Sequence, residues 1–361
     1  MQRRHLLGAS AAALTTWPGM AHSLPPATLQ FPRDHGSHPD FQTEWWYITG
    51  HANSGGRQFG FQLTFFRSRV AATQAMTSRF AAKQLLLAHA ALTDVQGQKL
   101  WHDQRLARAG FEVAEASEAD TRIRLLDWSL VREPGSAESP GSPAVFTARL
   151  PATEFALDLT LGATQPPLLQ GQQGLSRKGP QAEQASYYVS QPQLQVAGTL
   201  KLQGQAFPIS GGRAWLDHEW SQAVLHPEAV GWDWIGMNLD NGATLTAFHL
   251  RRADGSALWA GGSFRSAQGQ LRTFTSTEVS FTPQRIWVSP QSQGRYPVEW
   301  LVQTPAGNFT VHAVVDAQEL DSRASTGTQY WEGLSTLRDT SGRSVGQGYL
   351  EMTGYVGRLR L

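Results

Sequence analysis

The chain has 361 residues, no cysteine, 30 basic and 29 acidic residues, and a formal net charge of +1. The missing thiols exclude a disulfide framework, thiol catalysis and thiolate metal sites. Balanced charge without a lysine- or arginine-rich block argues against nucleic acid as a partner, and 13 tryptophans suit core packing plus a pocket for a flat or elongated apolar ligand.

Residues 1–23 read as a leader. Arg3-Arg4 precede the apolar run Leu6–Leu14, and Ala21-His-Ser23 has the small residues of a cleavage site, so the pattern is a secretory signal of twin-arginine type. The run is too short to span a bilayer, and the expectation is an exported, soluble, periplasmic chain. Residues 24–40, rich in proline, histidine and glycine, form an irregular segment. Thr43-Glu-Trp-Trp-Tyr-Ile-Thr-Gly-His51 is a strand by aromatic and β-branched content. Glu44, Trp46 and Ile48 share one face; Trp45, Tyr47 and Thr49 share the other. The turn Asn53–Arg57 and the return strand Phe59–Arg67 complete a hairpin.

Residues 70–83 are alanine-rich and read as a helical or loop excursion. Leu85–Thr93 is a strand that continues over the turn Asp94–Gly97 into Lys99–Trp101, and His89 inside it reads more readily as a core histidine than as a ligand. Thr121–Val131 alternates as one strand, and Glu133–Pro143 is a loop. Val145–Leu150 and Phe155–Leu161 form a hairpin. Residues 166–179 form a long polar, glycine-rich loop, the kind that serves as a lid or rim. Tyr187–Leu194 leads into the strand Val196–Leu202.

The densest chemistry lies in Arg213-Ala-Trp-Leu-Asp-His-Glu-Trp220. On a strand, Trp215, Asp217 and Glu219 point one way and Leu216, His218 and Trp220 the other. A histidine beside a tryptophan in an apolar pocket can move protons. In Gly231-Trp-Asp-Trp-Ile-Gly-Met-Asn-Leu-Asp240, Trp232 and Trp234 share a face opposite Asp233, and antiparallel pairing would set this patch beside the first. A purely architectural reading competes: Asp217 pairs with Arg213, the tryptophans are core, and Glu44 anchors its strand. No histidine pair has helical metal-ligand spacing, and His35 and His38 lie in a loop, so no metal is expected.

Further hairpins over 243–264 and 298–315, a strand Leu271–Phe281, and closing strands in 330–339 and 345–355 make the chain all-β, built of barrels or sandwiches. The simplest domain cut falls near Ser210-Gly-Gly212, giving units 24–210 and 211–361.

Several motifs recur together: Glu44-Trp-Trp-Tyr47 with Gly50-His51, Phe59–Arg67, Tyr187-Tyr188 with Ser190, Trp215-Leu-Asp-His-Glu-Trp220, and Tyr330-Trp-Glu-Gly333 with Gly348-Tyr349. In this order they resemble the AttH-like branch of the carotenoid 1,2-hydratase family, over about the whole mature chain. The resemblance implies two tandem lipocalin-like β-barrel domains. It also implies a cofactor-free hydratase, in which an acid protonates an isolated C=C bond and water captures the tertiary cation. The family's histidine and tryptophan, two residues apart, fall on His218 and Trp220. Its downstream tyrosine and aspartate have Trp232 and Asp233 in their place here, with Asp240 further on.

A buried, neutral carboxylic acid suits alkene protonation. Asp217 and Asp233 are the candidates, with His218 as the base for water and tryptophan faces to steady the cation. The candidate catalytic set is therefore His218, Trp220, Asp217 and Asp233. Candidate ligand contacts are Glu44, Trp46, Tyr188, Glu219, Trp232, Trp234, Tyr330 and Trp331. The expected partner is an apolar isoprenoid- or lipid-like molecule, without cofactor, and family members found with transporter genes add an ABC-transporter association. The competing function is a periplasmic carrier without chemistry. What separates the two is whether His218 and an acidic group share one closed cavity.

Overall fold

The computed structural model describes residues 23–26, 28–135, 143–222 and 225–357. The leader up to His22 and residues 136–142 of the Glu133–Pro143 loop lie outside them. Strand periodicity governs the outer elements. In the strand Phe155–Gly162, residues Phe155, Leu157, Leu159 and Leu161 are buried while Asp158 and Thr160 face solvent, the alternation of a sheet wet on one side.

Fourteen strands form the first sheet: β1 (Thr43–Ser54), β2 (Arg57–Arg69), β3 (Gln84–Asp94), β4 (Lys99–Arg108), β5 (Ala114–Ala116), β6 (Arg122–Leu125), β7 (Trp128–Glu133), β8 (Val145–Pro151), β9 (Phe155–Gly162), β10 (Leu168–Leu169), β11 (Leu175–Arg177), β12 (Ala185–Leu202), β13 (Gln205–Pro208) and β14 (Gly211–Ser221). The second sheet holds β15 (Gly231–Leu239), β16 (Thr244–Arg251), β17 (Ala257–Arg265), β18 (Leu271–Phe274) and β19 (Ser280–Pro283). It is completed by β22 (Glu299–Thr304), β23 (Gly307–Ala313), β24 (Glu319–Asp321), β25 (Gln329–Arg338) and β26 (Ser344–Met352), while β20 (Ile286–Val288) and β21 (Arg295–Pro297) pair only with each other. Every ladder is antiparallel. The first sheet runs β4-β3-β2-β1-β14-β12-β9-β8-β7-β6-β5, curled into a nearly closed barrel, and the second runs β18-β17-β16-β15-β26-β25-β23-β22-β19. The fold is therefore all-β, as expected.

Several local readings change. β14 hydrogen-bonds between β1 and β12, so the first sheet extends to Ser221. β14 and β15 consequently belong to different sheets, and the two tryptophan-rich patches meet face to face instead of pairing. Thr121–Val131 is the hairpin β6–β7, turned at Leu126-Asp127 with Leu126 at φ 56°; a left-handed leucine carries no turn signal in the sequence. Leu271–Phe281 splits into β18 and β19 at opposite edges of the second sheet. The 166–179 loop contributes β10 and β11, which pair with β12, while residues 70–83 are the loop excursion expected, with one 3-10 turn at Ala71–Thr73.

Each sheet encloses its own apolar core, the first around Ile48, Phe61, Leu157 and Leu216, the second around Ile235, Leu245, Trp300 and Leu350. A third cluster, with Tyr47, Trp215, Trp234, Phe248, Leu334 and Tyr349, lies where the sheets face each other. The strands at this junction bury both faces, which removes polar/apolar alternation from β1, β14, β15 and β25. Gly60 permits the close approach: a Cβ there would stand 2.8 Å from Tyr349 Oη and 3.0 Å from Leu334 Cβ. Polar ties cross the junction as well. Thr93 Oγ1 donates to Gln318 Oε1 at 2.9 Å, and the Gln193 backbone N–H donates to Asn238 Oδ1 at 2.8 Å.

Candidate functional site

β14 carries two different chemistries because its side chains alternate. One face sends Asp217, Glu219 and Ser221 into a cavity of about 110 Å³ between the sheets. Trp45 and Tyr47 of β1, Phe66 of β2, Tyr188 of β12, Trp232 and Trp234 of β15, and Phe248 of β16 supply aromatic walls. Glu332 and Tyr330 of β25 and Glu351 of β26 complete the opposite side.

Four carboxyl groups thus share a largely aromatic space with one lysine. Lys178 Nζ pairs with Glu219 Oε1 at 3.0 Å and sits 4.4 and 4.5 Å from the Tyr188 and Phe248 ring centres. Asp217 is the focus of a donor network. Its Oδ2 accepts from Tyr188 Oη at 2.6 Å, and its Oδ1 accepts from Ser190 Oγ at 2.5 Å and Trp215 Nε1 at 2.6 Å. Trp234 Nε1 donates to Tyr188 Oη, and Gln170 Nε2 donates to Ser190 Oγ. Burial pushes the Asp217 carboxyl up to about 7 against these three donors. Both forms are therefore within reach at neutral pH, and the donors favour the anion.

Glu332 is the contrast. It is 2% exposed, and its Oε1 makes no hydrogen bond. Burial drives its carboxyl well above the usual range, reinforced by Glu351, while the Tyr47 and Tyr330 hydroxyls beside it work against the rise. Its surroundings therefore favour the protonated form. Burial likewise pushes Glu351 up to about 7, with the Trp232 indole opposing. On the Tyr330 side, His89 Nδ1 meets Tyr330 Oη at 2.8 Å, and burial holds the imidazole neutral, down to about 3.

The other face of β14 enters a different centre. His218 Nε2 lies 2.9 Å from Glu44 Oε1, and His38 Nδ1 lies 2.8 Å from the same oxygen. Arg67 Nε and Ser37 Oγ donate to Glu44 Oε2 at 2.8 and 2.9 Å. Trp46 stacks on His218 at 4.6 Å, and Trp220 stacks on His38 at 3.8 Å. Hydrogen bonds from both histidines hold the Glu44 carboxyl well below its usual range although burial opposes them. Burial lowers His218 despite Glu44. His38, Glu44 and His218 bring ligand atoms within 4.8 Å of one another, a spacing that suits a metal. However, Arg67 and Ser37 already occupy the second Glu44 oxygen, so protein donors meet the carboxylate's charge. This centre fastens the segment 33–44 to the barrel, and Trp46 Nε1 adds a bond to His35 O at 3.1 Å.

The candidates from sequence divide accordingly. Asp217, Glu219, Tyr188, Trp232, Trp234 and Tyr330 line the cavity. His218, Trp220, Glu44 and Trp46 lie on the far side of the sheet in the Glu44 centre. Asp233 points to the core side of the second sheet, where His249 Nε2 at 2.5 Å, Arg251 Nε at 2.7 Å and Tyr355 Oη at 2.9 Å surround it. Trp331 belongs to the second core and donates to Asp316 O at 2.7 Å. His218 and the cavity acids do not share one space. Sequence reasoning missed Glu332, Glu351, Tyr47 and Lys178. Glu332 was within reach, since it alternates with Tyr330 in Tyr330-Trp-Glu-Gly333.

Comparison with known proteins adds the following. The AttH-like family model matches residues 22–355. A crystal structure assigned to AttH from Nitrosomonas europaea is 45% identical, covering 92% of this chain and 99% of that one, with a TM-score of 0.84. Kievitone hydratase from Nectria haematococca is 13% identical over 91% of this chain and 94% of its own, with a TM-score of 0.68. CghA is 14% identical over 91% and 97%, with a TM-score of 0.54. At these low identities the last two show the shared fold. No curated protein sequence matches the chain significantly.

Proposed function

Since the chain belongs to the AttH-like family, we propose that it binds an apolar, isoprenoid- or lipid-like molecule between its two sheets and adds water to an isolated C=C bond. One observation carries this reading: two carboxyl groups in one aromatic cavity have opposite surroundings, Asp217 with three donors and Glu332 with none to Oε1. Environments that separate two acids in this way assign an acid and a base. Glu332, neutral, gives its proton to one alkene carbon. The cation on the other carbon is steadied by the tryptophan faces. Water bonds to that carbon and loses its proton to Asp217, whose donors stabilise the anion. The net change is one water added, and the proton returns from Asp217 to Glu332 through solvent. The shared fold with kievitone hydratase supports a hydratase on this architecture. The leader pattern of residues 1–23 supports action in the periplasm.

The test is hydration of a panel of acyclic isoprenoid alkenes in ¹⁸O-labelled water. Glu332→Gln and Asp217→Asn should each lower product formation by about 10²-fold or more, while His218→Ala should leave the turnover of folded protein within a few-fold. Loss on His218→Ala with retention in Glu332→Gln would move the chemistry to the Glu44 centre. Tight alkene binding without labelled alcohol would make the protein a carrier.

A further inference from the structure

Trp234, Glu351 and Glu332 are consecutive register partners across three strands: Trp234 pairs with Glu351 between β15 and β26, and Glu332 pairs with Glu351 between β25 and β26. Directly opposite residues share a face, with Cβ atoms about 5 Å apart. No arginine lines the cavity among the described residues, and its single lysine is committed to Glu219. Glu332 Oε1, buried and without a hydrogen bond, borders the same space. Two carboxyls and an indole in a row therefore lack the positive charge that would complete them.

We propose that the ligand of this cavity is amphiphilic: an apolar body carrying one ammonium group, which Glu351 pairs and the Trp234 face covers. This rests on the reading of the cavity as the ligand site. Lys178 shows the same recognition inside the protein, with an ammonium held by one carboxylate and two aromatic faces. A hard metal ion does not fit, because calcium needs six to eight oxygens and these walls are mainly aromatic carbon. Burial favours the protonated form of Glu332, which leaves Glu351 as the carboxyl that meets the cation. The apolar body extends along Trp45, Phe66 and Phe248.

The experiment uses the full chain and three probes with a ten-carbon chain, decyltrimethylammonium, decanol and decanoate, each below its critical micelle concentration, with tryptophan fluorescence and calorimetry as readouts. The cation should bind at least about tenfold more tightly than decanol. Glu351→Gln should abolish that preference, and its thermal melt verifies the fold of the variant. Equal binding of cation and alcohol by the wild type, or a preference that survives in Glu351→Gln, overturns the inference and leaves the apolar cavity standing. Failure of all three probes to bind overturns the cavity reading as well.

Discussion

Glu44 and Glu332 are both buried carboxyls on neighbouring walls of one molecule, yet their surroundings drive them in opposite directions. Glu44 is fully buried and met by Arg67, Ser37, His38 and His218, so it is held as an anion. Its folded-state affinity for protons lies below that of the unfolded chain. The resulting stability is present above about pH 4.5 and is lost as pH falls below that value. Replacing it by glutamine strands Arg67 and should cost about 3–5 kcal/mol; acid titration of Tm should then show a flatter decline below pH 4.5 than in the wild type. A steep, unchanged acid limb would contradict the assignment. Glu351 has the opposite sign. Its carboxyl is raised to about 7, so the folded state holds the proton more tightly and stability declines as pH rises from about 4.5 to 7. Glu351→Gln removes that decline. Since the residue is half-buried and reachable through the cavity, the gain at pH 8 should be about 1–2 kcal/mol. Denaturant melts of the two proteins at pH 5 and pH 8 measure it, and an equal difference at both pH values would refute it.

At the level of elements, β14 is the wall between the two centres, and its alternation keeps the anion clamp and the cavity apart. The face assignment within β14 was legible from Trp215 to Trp220 because a strand has a fixed period of two. Its neighbours were not, since a residue pattern does not say which strand pairs with which. A sequence pattern therefore sets the second tryptophan patch beside β14, when it faces β14 from another sheet, and groups His218 with acids that lie on the opposite side. Gly60 on β2 fixes how closely the sheets approach. Gly60→Val places methyl groups against Tyr349 and Leu334 and should destabilise by about 1–3 kcal/mol, with weaker ligand uptake because the cavity walls are displaced. Thermal melts together with decanol binding check both effects; a variant as stable and as competent as the wild type would mean that the sheets are not packed through this glycine.

For the whole molecule, two β-sheet bodies each bury a core and enclose a cavity where they meet, a common location for binding sites. The all-β class and most hairpins could be read from the sequence, because β-branched and aromatic runs punctuated by glycine and asparagine turns are local signals. The cavity could not, because Glu332 and Glu351 come from the last two strands and gain their character from burial against β1 and β15, over two hundred residues away in the case of β1. No helix among the described residues is long and apolar enough to cross a membrane. The central claim is that ligand occupies the space between the sheets and not the Glu44 centre. Native mass spectrometry of protein purified from its own host, in wild type, Thr64→Trp and His218→Ala, tests it most directly, since Thr64 lines the cavity and a tryptophan there fills it. Bound ligand present in wild type and His218→Ala but absent from Thr64→Trp is the predicted result. Ligand retained in Thr64→Trp and lost in His218→Ala would contradict the account.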